Sequence, residues 1–373
     1  MRTFRFGAYL GILLSLCAVP FLNARAAWQS QEKAQPPIID YHTGQTMTAQ
    51  DAKALEDGLA KNPDDLSARE KLLDYYYQAG IGSRSPDIEK KREAQIFWLI
   101  EHHPEAEVFW SADAGIMPDR REGSVDAYQH AKELWLQQVE KHASDVHVIL
   151  HAADFFLLTD HEETSELMQK ALEIAPTNME VLSKEAEYYE LERIGARSEK
   201  ERKELSEKAL AFRERALAST SGEERTMAVE AMATDALEAG DLAKAEQSAN
   251  ELLKAAEEDK SPWNYGNSMH TGNIVLGRVA LRRGDVEGAK QHLLAAGDVS
   301  GSPQLDSFGP NMSLAKELLE KGERETVITY LESCAKFWKM GHDDLQNWIA
   351  TIKGGGTPDF KGNMDYLGRL AVL

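Results

Sequence analysis

Four histidines, His142, His147, His151 and His161, crowd into one short stretch, and His147 and His151 stand four positions apart. On a helix that spacing turns two imidazoles toward one ion. No glutamate follows His147, so the zinc-protease signature is absent. His151 falls at a position that packs between helices, and the pair reads as a packed or surface pair with no metal assigned. No Gly-x-Ser-x-Gly elbow, Walker loop, dinucleotide fingerprint or paired Cys-x-x-Cys occurs. The sequence therefore assigns no catalytic residue and no cofactor.

Aromatic and amide side chains offer recognition chemistry instead. Two stretches read as long connections, Ser261 to His270 and Gly297 to Asn311. Both occupy the same slot of successive hairpins, so they are expected on one edge. Trp263, Tyr265 and Phe308 would form an aromatic rim, with Asn267, His270, Asn273 and Asn311 supplying polar contacts to a protein or peptide partner. The competing arrangement folds Trp263 and Phe308 inward beneath their own loops.

The chain carries 62 acidic and 42 basic residues, a formal charge of −20. Phosphate backbones and anionic membranes would be repelled, which argues against both as partners. Arg2 and Arg5 precede an apolar run from Phe6 to Leu22, interrupted by Pro20 and too short for a comfortable membrane span, and Ala24-Arg25-Ala26 gives a small-x-small cleavage pattern. Residues 1–26 are thus expected to be a cleaved export signal, placing the mature protein in the periplasm or outside the cell. Losing the three arginines of this leader takes the charge from −20 to −23. Cys17 leaves with it, and Cys334 remains as a lone thiol that reads as a small buried apolar residue.

Stepping along the rest of the chain, a junction recurs at Asn62-Pro63-Asp64-Asp65, His103-Pro104-Glu105-Ala106, His142-Ala143-Ser144-Asp145 and Ala175-Pro176-Thr177-Asn178. Each closes one amphipathic stretch and opens another, at a period of roughly 33 to 41 residues, the signature of stacked helix pairs. Helix-start signals stand at Thr48-Ala-Gln-Asp51, Ser85-Pro86, Ser198 to Glu201 and Ser221 to Glu224. After Ser85 the buried stripe is expected at Ala94, Phe97, Trp98 and Ile100, with Lys90, Lys91 and Arg92 in solvent. Almost nothing alternates with the period of a strand. The expectation is an all-α chain: residues 27–48 extended, a helical repeat array over 49–352, and a flexible tail over 353–373 in which Phe360 and Tyr366 are candidates to cap the array.

Leu276-Gly277, Ala280, Gly284-Asp285 and Ala289 fall at the spacings of the tetratricopeptide repeat. Asp145 to Pro176, Gly240-Asp241 with Ala245, and Gly322 with Leu314, Leu318 and Leu331 give weaker copies. The chain thus resembles an irregular member of that superfamily, with turn glycines 44 and 38 residues apart and enlarged loops near Gly195 and from Gly80 to Ser85. The resemblance implies a right-handed α-solenoid whose first helices cradle a protein or peptide, and a scaffold in place of an enzyme. The family's carboxylate clamp is not carried over, because Ile274, Val275 and Arg278 supply one cation where it uses several. An exported α/α-barrel acting on carbohydrate, with Trp98, Trp110, Trp135, Trp338 and Trp348 stacking on sugars, is the alternative.

Overall fold

The computed structural model describes residues 46–83, 85–118, 123–218 and 220–364. The expected export signal, most of the extended segment and Tyr366 lie outside them. Among the described residues there are sixteen α-helices and no strand. They are α1 (Ala49–Leu59), α2 (Leu66–Ser83), α3 (Pro86–His102), α4 (Ser124–Lys141), α5 (Val146–Phe156), α6 (His161–Ile174), α7 (Met179–Ile194) and α8 (Glu199–Leu217). The second half holds α9 (Gly222–Ala239), α10 (Leu242–Glu258), α11 (Pro262–Arg282), α12 (Val286–Gly297), α13 (Pro303–Phe308), α14 (Ser313–Glu320), α15 (Arg324–Cys334) and α16 (His342–Lys353). Helices adjacent in sequence pack in pairs, the pattern of an all-α, solenoid-like fold.

The chain divides into two compact units, one running through Leu99 with Ser111–Ala114, the other comprising Ile100–Trp110 and everything from Gly115 onward. In the first, Ala52, Leu72 and Tyr76 form a small core with Leu55, Leu59 and Ile88 packed around it. Thr48 and Asp51 close a reciprocal capping box on α1. Two expectations fail here. Gly80 to Ser83 continue α2 instead of forming a loop. On α3, Ala94 is exposed while Arg92 is buried beside Ile96 and Leu99. Arg92 tolerates burial because its guanidinium pairs with Glu89 at 2.8 Å and donates to the Asp113 carbonyl at 2.6 Å.

In the second unit the hairpins are punctuated by one repeated turn. Gly240, Gly284 and Gly322 all adopt a left-handed φ, between +84° and +88°. After each, the next amide reaches back five residues, Asp241 to Ala236, Asp285 to Ala280 and Glu323 to Leu318, so the end of the first helix is sealed. At two of these turns the following aspartate starts the second helix. Asp241 accepts from the Lys244 amide at 3.0 Å and Asp285 from the Gly288 amide at 2.8 Å. Two cores follow along the stack, and α11 belongs to both. Val275, Leu276 and Val279 join Val229, Ala233, Leu237 and Leu252 on one side. Ile274 joins Leu293, Leu314, Leu318, Leu331 and Trp348 on the other.

Residues 354–364, expected as part of a loose tail, are tied down. Arg324 donates to the carbonyls of Gly355 and Gly356 at 2.9 and 2.8 Å. Phe360 is buried edge-on against Trp348, with ring centroids 5.1 Å apart. Asn363 donates to the carbonyls of Phe308 and Pro310. Cys334 is buried in this same core, and burial pushes its thiol well above the ordinary range.

A β-carbon added at Gly277 would overlap the Leu314 side chain, whereas one at Gly284 would meet nothing but sit on a left-handed backbone. Gly277→Ala is expected to cost about 1–3 kcal/mol by overpacking, and Gly284→Ala about 1–2 kcal/mol by backbone strain alone. Urea unfolding of both variants checks this. An additional Leu314→Ala change should recover part of the first loss and none of the second.

Candidate partner-binding face

The stretch from Ser261 to His270 is not a connection. Ser261 leads into α11, whose first turn starts at Pro262 with Tyr265 N–H donating to the Ser261 carbonyl at 3.0 Å. Trp263 lies in this turn, and its side chain is outside the described set. Tyr265 is half-buried with the Lys260 ammonium 5.9 Å above its ring. Phe308 is 42% exposed.

Asn267, His270 and Asn273, expected to point at a partner, are buried instead. Asn267 accepts from the Ser302 hydroxyl at 2.6 Å, and that oxygen caps α13 by accepting from Leu305 N–H. Asn273 donates to the Met269 carbonyl at 2.8 Å and meets the His292 ring at 3.0 Å. His270 lies 2.9 Å from the Ala296 carbonyl through Nδ1, while Nε2 accepts from Asn311 N–H at 3.0 Å. Asn311 is half-buried. Its side chain receives Ser313, and its carbonyl accepts from Tyr330 OH at 2.8 Å. These residues clasp the connection after α12 to α11. A run of Asn, Ser, Gly and His suggests a loop by composition, but here the glycines serve close packing. A β-carbon at Gly266 would overlap the Gly301 carbonyl.

A row of ion pairs that the sequence did not mark links the first helices of successive hairpins, buried at its centre and partly open at the Lys184 end. Lys184 of α7 meets Asp154 of α5 at 3.2 Å, and Arg193 of α7 meets Asp235 of α9 at 3.3 Å. Arg278 of α11 bridges Glu238 of α9 at 2.7 Å and Glu317 of α14 at 2.8 Å. Burial alone would raise the Glu238 carboxyl, but Arg278 more than offsets it and the group lies below its ordinary value. Thr271 of α11 donates to Glu230 of α9 at 2.6 Å; burial raises that carboxyl, and the hydroxyl only partly compensates. Near the start of the row the Lys184 ammonium stands 4.4 Å above the Trp110 ring, and Glu187 is 42% exposed beside it.

The ladder also has a buried knot. Arg213 of α8 pairs with Glu190 of α7 and approaches Asp235 at 3.5 Å, so two guanidinium groups and two carboxylates share one site. Buried charges persist when matched in this way.

The four histidines do not converge. His147 meets Glu180 at 3.4 Å, His161 meets Glu192 at 2.7 Å, and His151 is buried against Phe109, Trp110 and Trp135. Its Nδ1 donates to the Pro104 carbonyl at 2.8 Å. Burial holds this ring neutral, lowering its pKa to about 4. Among the described residues no group of three or more His, Cys, Asp or Glu is placed to hold a metal. Comparison of the chain with protein-family models and with curated proteins finds no match.

Two outcomes are expected. Arg278→Ala strands Glu238 and Glu317 and should destabilise the protein by about 3–5 kcal/mol, with Glu238→Gln and Glu317→Gln added together recovering part of that loss in thermal unfolding. The unfolded chain protonates His151 near pH 6.5, but the folded chain resists until about pH 4. This contribution to stability is present above pH 6.5 and is lost as pH falls through that window, by up to about 3 kcal/mol. In urea titrations from pH 7 to 4, His151→Gln should show a correspondingly shallower decline.

Proposed function

We propose that the mature chain is an exported, non-enzymatic scaffold of the tetratricopeptide-like kind that binds a protein or peptide across its first helices. The observation that carries this reading is the ladder from Asp154 through Lys184, Arg193, Asp235, Glu238 and Arg278 to Glu317. It fixes α5, α7, α9, α11 and α14 relative to one another by side-chain bonds. A surface built from five such helices presents side chains of fixed spacing to an extended ligand, which lowers the ordering cost of binding. Export rests on the leader of residues 1–26. Among the described residues no helix is long and apolar enough to cross a membrane.

Lys184 and Glu187 stand beside Trp110 on this surface, whereas Phe308 stands on the connection after α12. Affinity capture from an envelope extract, followed by calorimetric titration of the captured protein, separates the two. Replacing Lys184 and Glu187 with alanine should weaken binding at least tenfold, and Trp263→Ala with Phe308→Ala should leave it nearly unchanged. Equal affinity in all three forms overturns the proposed face. Loss confined to the Trp263/Phe308 variant moves the site to the connection.

A further inference from the structure

We propose that His270 is an acid-sensitive latch that holds the connection between α12 and α14 closed against α11, and that protonating its Nε2 releases this connection while the preceding hairpins stay folded. The ring is fully buried, and both nitrogens are engaged by backbone groups of different elements. Nε2 must carry a lone pair to accept from Asn311 N–H, so the proton sits on Nδ1 and points at the Ala296 carbonyl. A second proton turns Nε2 into a donor facing another donor. The Asn311 bond is then lost and a charge is left in an apolar interior.

On α9 the Glu230 carboxylate is engaged by the Thr271 hydroxyl, the residue after His270. From α11 the neighbouring polar groups are the amides Asn267 and Asn273, and from α12 His292, which reaches Asn273. The connection contributes Ser302 and Asp306, the latter beside Gly301. From α15 come Tyr330, bound to the Asn311 carbonyl, and the buried Cys334. Neither ring nitrogen of His270 bonds a carboxylate among these residues. Burial accordingly lowers the imidazole pKa to about 4, against 6.5 for an exposed ring.

His151 is the internal contrast. It too donates through Nδ1 to a backbone carbonyl, but its Nε2 has no partner, so protonation there breaks no bond. At His270 it breaks the bond between the ring and the connection, whose other tethers include Asn267 to Ser302, Tyr330 to Asn311, Asn363 to Phe308 and Pro310, and Met312 N–H to the Asn363 carbonyl.

Hydrogen exchange of the mature chain at pH 7 and pH 5, corrected for intrinsic rates, tests the latch. With a closed-state value of about 4 and an open-state value of 6.5, the opening equilibrium of residues 299–312 should rise about 20-fold between these pH values. Residues 242–258 should not follow, and His270→Gln, which offers one donor and one acceptor at all pH values, should abolish the difference. A pH-independent connection, an equal rise throughout the chain, or an unchanged rise in His270→Gln overturns the latch. Imidazole nitrogen NMR of the unsubstituted chain provides a second readout: His270 should remain the Nδ1–H tautomer down to pH 5, and an Nε2–H tautomer or a midpoint above pH 6 overturns it as well.

Discussion

An isolated helix hairpin has two apolar sides and can cover only one of them with its own partner. In the second unit α11 meets this constraint by sharing. It places Val275, Leu276 and Val279 in one core and Ile274 in the next. Sharing two cores requires close approach on both flanks, and the small residues on the helix are where that approach occurs. Gly272 faces Leu253 of α10, and Gly277 faces Leu314 of α14. Larger side chains there would separate the hairpins and uncover apolar area worth about 25 cal/mol per Å².

The polar interior follows from the same geometry. Helices held this closely bury backbone ends and connections that water would otherwise solvate, and each must find a partner inside. His270 supplies such partners on one side of α11, where Asn267 also holds the capping Ser302 hydroxyl, while on another side Arg278 pairs with the Glu238 and Glu317 side chains. Side chains that are ordinarily signs of a binding site therefore act as internal joinery. Lys184 and Glu187, by contrast, are paired yet partly open to solvent.

Much of the architecture was legible from local signals because those signals act locally. The four junctions all fall between helices, and the left-handed glycines at 240, 284 and 322 end first helices as their Gly-Asp and Gly-Glu context implies. The helix starts expected at Thr48 and Ser198 carry their side-chain caps, whereas Ser221 takes the cap geometry without the side-chain bond. The site was far less legible. Whether Asn267 faces a neighbouring loop or solvent depends on where Ser302 arrives, thirty-five residues later. The ladder was missed because Glu238, Arg278 and Glu317 come from three helices about forty residues apart, and ordinary charged residues on amphipathic helices carry no mark of their long-range pairing. Arg92 shows the same blindness in miniature, a cation drawn inward by a carbonyl that sequence cannot place.

A stack of hairpins grows by offering each newcomer an uncovered apolar side, so its final member is always a potential seed for another copy of the chain. Phe360 lies over Trp348, the Trp348 indole donates to the Asp359 carbonyl at 3.1 Å, and Arg324 locks the intervening glycines. Residues 354–364 thereby cover an apolar side that the last described hairpin would otherwise leave open to a further hairpin.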